Sequence, residues 1–333
     1  MEKSDLKIIC LTPVLNEEWI IEKFLQAASI WADVIILSDN GSTDNTIKIA
    51  SNFPKVRIID NSEMKDYNEG EMRKPLYDEA RKIPGKKLLV SLDADEFFTP
   101  NFDDLEWETI LKAPLGTRFI FNWINIQPNL ISYFILNDKP LAIMDDDSPY
   151  EGGVLHQFPI PMAKNKPSIK LNNIKVLHFQ YVNWERLELK QMWYRMYEKV
   201  INPKKNSISI WRQIHYQKNR PIDNIKVYAL QPEWLNAYNK YGLELTSYKI
   251  SPINPWDKKI ISYIEKYGWK RFKYVDINIS YIRSIDYQNR LKSLKIKHNF
   301  FDLGIMYYLK KTQIHKSRIR IKLIDYFLMK IIK

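Results

Sequence analysis

The sequence predicts an α/β fold for its first hundred residues, a doubly wound and mostly parallel sheet. Three observations carry this. Short apolar runs of four to seven residues, "LKIICLT" (6–12), "DVIILSD" (33–39), "KVRIID" (55–60) and "KKLLVSL" (86–92), have the composition of buried strands. Segments with helical spacing separate them. Each of three runs then breaks into a polar tail, "TPVLNEE", "SDNGSTDNT" and "DADEFF". In such sheets ligands bind beyond the carboxyl ends of the strands, and all three tails fall on that edge.

Taken in order, residues 16–32 read as a helix with Ile20, Phe24, Ala27 and Trp31 on one face and acids in its first turn, where the helix dipole favours them. "NGSTDNTIKIASNF" supplies a glycine turn, a Ser/Thr/Asp cap and a short helix. "EGEMRKPLYDEARKI" reads as a helix interrupted early by Pro75. Downstream, "TRFIFNWINIQP" and "KLNNIKVLHFQYVNW" read as strands and 185–200 as an amphipathic helix. From about 231 the chain is Lys-, Ile- and Tyr-rich with helical character. The expected organisation is a domain over 1–230, split into halves 1–100 and 101–230, followed by a basic helical region, 231–333.

A chain of 333 residues with 45% hydrophobic and 27% charged content buries a sizeable core and is not disordered. The single cysteine, Cys10, excludes an internal disulfide and fits a reducing compartment as a buried core thiol. No apolar run reaches the roughly 18 residues of a spanning helix, and the amino terminus is unlike a secretory signal. A cytoplasmic location is expected.

The net charge of +12 is unevenly spread. Residues 1–150 hold 16 basic and 26 acidic residues, a net of −10; residues 151–333 hold 35 and 13, a net of +22. The back half therefore suits an anionic partner. The last segment, "SRIRIKLIDYFLMKIIK", places Ile319, Leu323, Phe327 and Ile331 on one helical stripe, with Ile324 and Leu328 beside it and Arg318, Arg320, Lys322, Lys330 and Lys333 supplying charge. Such a helix can lie at the inner face of a membrane as a peripheral contact, each charge contributing on the order of 1 kcal/mol near anionic lipid. It can equally pack on its own domain or on a second copy in a homo-oligomer. No nucleic-acid motif accompanies the charge, so nucleic acid is not an expected partner.

Asp93, Asp95 and Glu96 put three carboxylates into four positions at a strand end. Close like charges repel, so the cluster is either solvated or holds a cation. Hard oxygen ligands suit Mg²⁺ or Mn²⁺, which bind one or two carboxylates together with substrate phosphates. A Walker B reading fails because no G-x-x-x-x-G-K-[ST] loop exists. A nucleotidylyltransferase would want a Gly-rich loop after the first strand, and "LTPVLNEE" has no glycine.

"LTPVLNEE" (11–18), "LSDNGSTDNT" (37–46) and "LLVSLDADEFF" (88–98), in that order and spacing, resemble the family-2 glycosyltransferases of GT-A fold, closely over the first 100 residues and more loosely to about 200. The resemblance implies a nucleotide-sugar donor, UDP-sugar first, and a divalent metal cofactor, Mn²⁺ or Mg²⁺. It implies that Thr12, Pro13, Asn16 and Glu17 line the nucleotide, that Asp39 bonds the base, and that Arg73 touches nucleotide or diphosphate. Asp93 would face ribose or metal, Asp95 would ligate the metal, and His178 on a late strand would complete that site. Asp39 with Ser42 equally suits a helix cap, Arg73 a solvated charge and Glu17 a dipole partner.

An inverting transferase also needs a base on the acceptor hydroxyl. "YEGGVLHQF" has Gln157 where the resemblance implies an acid, leaving Glu151, His156 or the acids Asp145, Asp146 and Asp147. Glu151 is favoured because Gly152 and Gly153 would let an acceptor approach closely. The implied activity is hexosyl transfer to a glycan or lipid-linked acceptor in cell-surface polysaccharide (lipopolysaccharide or capsule) synthesis. The alternative is a catalytically inactive protein of the same fold that binds glycan or membrane.

Overall fold

The structure, a computed structural model, describes residues 6–63, 68–153, 158–213, 216–217, 220–221, 225–248 and 255–332. His156 and Gln157 lie outside the described residues.

The α/β class holds, with a mainly helical C-terminal part. In chain order the elements are β1 (Leu6–Val14), α1 (Ile21–Trp31), β2 (Val34–Asp39), α2 (Thr46–Ala50), β3 (Val56–Asp60), α3 (Glu69–Arg81), β4 (Lys86–Ser91), β5 (Glu96–Phe98), α4 (Leu105–Lys112), β6 (Arg118–Ile126), β7 (Ser132–Met144) and β8 (Ser168–His178). The strands run in the order β3-β2-β1-β4-β7-β6-β8-β5. β3, β2, β1 and β4 are parallel; β7 then runs antiparallel to both β4 and β6, and β6 is parallel to β8.

Apolar residues of β1, β2 and β4 (Ile9, Leu11, Ile36, Leu89) pack with Leu76, Tyr77 and Ala80 of α3 in one core cluster. The α1 ring of Phe24 meets Phe97 of β5, and Trp31 meets Phe98 and Trp107. Ile20, Phe24, Ala27 and Trp31 are all buried, as their spacing predicts.

Three local expectations are corrected. The first helix starts at Ile21 rather than at residue 16, because Asn16 takes a left-handed φ of 55° and joins a turn. α3 runs through Pro75 without interruption. The carbonyl that Pro75 leaves without an intrahelical donor is that of Glu71, and the Asn61 side-chain amide donates to it at 3.5 Å. β7, thirteen residues long, has no counterpart in the sequence reading. Its centre, Asn137-Asp138-Lys139-Pro140, has turn composition, yet Pro140 sits in the ladder beside a register shift in β6.

The chain divides into two compact units, 1–179 with 228–251, and 180–227 with 252–333. Residues 180–227 thus cluster with the C-terminal part, and 228–251 return to the sheet unit, where the Tyr238 hydroxyl donates to the Phe98 carbonyl at 2.6 Å. The second unit holds α5 (Trp184–Ile201) and the helices Ser207–Trp211, Pro255–Tyr267, Ile285–Leu294, Phe300–Thr312 and Ile319–Ile331. No described helix is long and apolar enough to cross a membrane.

Candidate active site

The ends of the parallel strands come together as the tails of the sequence predict. Val14 of β1 stands opposite Asp39 of β2, and Leu11 opposite Ser91 of β4. The loop after β1 is tied to the loop after β2 through Asn16. Its side-chain oxygen accepts from the amides of Thr43 (2.6 Å) and Asp44 (3.2 Å), and its own amide donates to Ser42 Oγ at 3.0 Å. Asp39 Oδ1 accepts from the Ser42 amide at 3.0 Å. Thr12 is fully buried, and Pro13 pairs with Ser38. Glu17 Oε2 accepts from Trp19 Nε1 at 2.8 Å, and the Glu17 carbonyl accepts from the amides of Ile20 and Ile21. Asn16 and Glu17 therefore shape this loop from within.

Arg73 projects from α3 onto the end of β4. It donates to Ser91 Oγ at 2.8 Å and pairs with Asp93 at 2.5 Å. Burial weighs against its charge, but Asp93, Tyr150 and Glu96 outweigh this and raise its pKa further. Arg73 is a fixed counter-ion of the cluster and not a solvated helix charge.

Glu96, Asn125 and His178 lie in one row across β5, β8 and β6, since His178 stands opposite Glu96 on one side and Asn125 on the other. Glu96 is buried and accepts from the Asp93 amide (2.9 Å) and from Trp123 Nε1 (2.7 Å). Burial and the neighbouring Asp93 raise its pKa, against the pull of Lys139 and these donors. Lys139 of β7 places its ammonium 3.2 Å from the centre of the Trp123 ring, and Trp123 stacks on His178 at 4.1 Å. Burial lowers the Lys139 pKa while Glu96, Asp93 and Asp95 oppose that shift.

The protonation of His178 follows from its partner. Asn125 Nδ2 donates to the carbonyls of Trp123 (3.3 Å) and Phe134 (3.4 Å), which leaves its oxygen to face His178 Nδ1 at 2.8 Å. Nδ1 therefore carries hydrogen, and in the neutral ring Nε2 carries the lone pair. Nε2 lies 3.8 Å from Asp95 Oδ1. Two electron-rich atoms at that separation are stabilised by a positive charge between them, a proton on Nε2 or a metal ion. With metal–ligand distances of about 2.1 Å, one cation can touch both. Among the described residues no group of three or more His, Cys, Asp and Glu is placed to hold a metal ion by itself. Two protein ligands suit a Mg²⁺ or Mn²⁺ that takes further oxygens from a phosphate, so these residues fit the group.

The expected base residues are placed as follows. Glu151 is exposed, next to Tyr150, whose ring stacks on Tyr77 of α3 at 4.8 Å. Gly152 and Gly153 do not open a path for an acceptor: Gly153 accepts from the Gly70 amide at 3.1 Å, and a Cβ on Gly152 would lie 2.2 Å from the Gly70 Cα. These glycines seat the loop on α3. Asp145 and Asp147 pair with Arg81, and Asp146 with Lys166. The Asp145 amide bonds Lys87 at the start of β4, the far end of a six-residue strand from Asp93, about 20 Å away. The three acids line a surface recess of about 620 Å³ with Gly85 and Pro114 there, so they have no access to the cluster.

Sequence reasoning missed Asn125, Trp123 and Lys139. Lys139 lies on the unforeseen β7, and the other two carry no motif, so only strand register links them to His178.

No family model matches this sequence, and no curated protein does. Among solved structures the chain is similar to glucosyl-3-phosphoglycerate synthase from Mycobacterium tuberculosis. The complex of that enzyme with Mg²⁺ and uridine diphosphate is 23% identical over 36% of this chain and 43% of that one, with a TM-score of 0.27. Its complex with phosphoglyceric acid gives 22% identity over 38% and 47%, again at 0.27. A mycobacterial protein gives 23% identity over 37% and 41%, with the same TM-score. The chain thus spans less than half the length of each.

Proposed function

We propose that this chain is a metal-dependent glycosyltransferase of the GT-A type, which moves a sugar from a nucleotide-sugar, UDP-sugar first, to a hydroxyl of a glycan or lipid-linked acceptor. The reading extends to inversion at the anomeric carbon and to cell-surface polysaccharide synthesis. The observation that carries it is the pairing of Asp95 Oδ1 with a tautomer-fixed His178 Nε2 at 3.8 Å, at the carboxyl edge of the parallel strands. The order of the three strand-end motifs supports the same reading.

In this reading the loops of Thr12, Pro13, Asn16, Glu17 and Asp39 receive the nucleotide, with Asn16 holding the two loops in register. Asp95 and His178 hold the metal, and Arg73 pairs with Asp93 and holds it aimed at ribose or metal. A bound divalent cation offsets the charge that develops on the departing diphosphate. Residues 1–100 serve the donor and 101–230 the acceptor. Glu151 is the proposed base, on a loop held by Gly70 through the Gly153 carbonyl and by Tyr77 through its stack on the Tyr150 ring.

The test is calorimetric titration of the chain with nucleotides and nucleotide-sugars, with and without Mn²⁺, beside Asp95→Ala. Metal-dependent binding of one nucleotide class, lost in the variant, is expected. Absence of binding under every condition would overturn the reading in favour of the alternative, a catalytically inactive protein of the same fold.

A further inference from the structure

The helix Ile319–Ile331 sits in its unit the wrong way round for a core helix. The residues it turns inward are Ile321, Leu328 and Met329, half-buried, and Asp325, which is only 5% exposed. Asp325 takes a two-pronged ion pair from Arg212, Nε to Oδ2 at 2.8 Å and Nη2 to Oδ1 at 2.9 Å, and accepts from the Tyr308 hydroxyl at 3.0 Å. Arg212 also donates to the Leu309 carbonyl (3.1 Å) and to Thr312 Oγ1 (2.7 Å). The helix is therefore pinned by a carboxylate, and its rotation is fixed by that pair.

The consequence falls on the opposite face. Ile319, Leu323, Phe327 and Ile331, spaced at four residues, all point outward; Leu323 is 54% exposed and Phe327 62%. At 3.6 residues per turn, Arg320 and Lys330 fall inside this stripe and not opposite it. The preceding helix, Phe300–Thr312, also exposes the rings of Phe300 and Tyr307.

We infer that this face is a docking surface for an anionic lipid bilayer. Charge complementarity decides the occupant. Residues 151–333 carry a net +22, and the basic residues interleave with the apolar ones, an arrangement that lets Lys and Arg stems lie in the interface while their heads meet lipid phosphates. A second copy is the rival occupant. The stripe spans about 20 Å by 10 Å, far below the roughly 800 Å² per partner of a stable dimer. An antiparallel two-fold pairing centred on the stripe would also set Arg320 of one copy against Lys330 of the other, like charges in contact.

Flotation of the full chain with vesicles tests this without any nucleotide, so its outcome is separate from that of the transferase reading. Binding to phosphatidylcholine vesicles containing phosphatidylglycerol is expected to exceed that to phosphatidylcholine alone by about tenfold or more, and to weaken with salt. The Leu323→Glu/Phe327→Glu variant alters exposed positions only and is expected to keep the wild-type circular dichroism and melting curve while losing vesicle binding. Failure of the wild type to bind anionic vesicles, or equal binding by the variant, overturns the proposal. Concentration-dependent dimerisation that the same variant abolishes, with no flotation, overturns it in favour of a second copy.

Discussion

His178 Nδ1 lies 2.8 Å from the side-chain oxygen of Asn125, and both residues are buried. The contact joins two strands in register and sets the tautomer that leaves the Nε2 lone pair beside Asp95. Asn125 is thus a positioning residue for the proposed metal site. Replacement by Leu keeps the branching at Cγ and removes the acceptor. Mn²⁺ affinity in the presence of UDP is expected to fall about 10–100-fold, as for other second partners of ligating histidines. Manganese titration followed by electron paramagnetic resonance reads this directly, and the melting temperature shows whether the fold is kept.

Arg73→Lys retains the charge but not the fork that reaches Ser91 and Asp93 together. Donor affinity is expected to drop, with a smaller effect than Arg73→Leu, which leaves Asp93 and buried Glu96 with less positive charge nearby. Nucleotide titration of both variants ranks them, and equal affinities would show that Arg73 acts only in the fold.

Gly152→Ala places a Cβ 2.2 Å from the Gly70 Cα, a backbone atom that cannot swing aside. The loop bearing Glu151 must then lift from α3. A stability loss of about 1–3 kcal/mol is expected from overpacking, read as the shift in denaturant midpoint. If Glu151 is the base, the turnover number falls with it.

Asp257 is buried in the helix Pro255–Tyr267 and its Oδ1 has no hydrogen-bond partner among the described residues. Burial pushes its pKa up to about 6, against the Arg283 contacts. A carboxyl whose folded pKa exceeds its unfolded value penalises the folded state once ionised. Its penalty is absent below the unfolded pKa near 4 and complete above about 6. Asp257→Asn is therefore expected to stabilise the protein by about 2–3 kcal/mol at neutral pH. The gain should vanish as pH falls through that window, as melting curves across pH will show.

Arg212 and Asp325 are both largely buried, with side chains 11% and 8% exposed. Asp325→Ala leaves the guanidinium without its carboxylate and is expected to cost about 3–5 kcal/mol, whereas Arg212→Met with Asp325→Leu costs much less. Chemical denaturation of the single and double variants measures the difference.

The sequence alone determined the parallel strands, their order of polar tails and the positions of Asp39, Asp93 and Asp95 at one sheet edge. Strand and helix periods are local, and the edge follows once the strands run parallel. It also revealed the apolar stripe of Ile319, Leu323, Phe327 and Ile331, which is a matter of spacing. Only the tertiary structure decided which way that stripe faces, because rotation of the helix is set by Arg212, more than a hundred residues earlier. It likewise decided that Gly152 seats a loop on Gly70, that Asp145 belongs to the far end of β4, and that Asn125 and Trp123 contact His178, with Lys139 over the Trp123 ring. The pairings around His178 arise from register across β7, β6 and β8, antiparallel between the first two and parallel between the last two, and register is a relation between distant strands that no single stretch of chain contains.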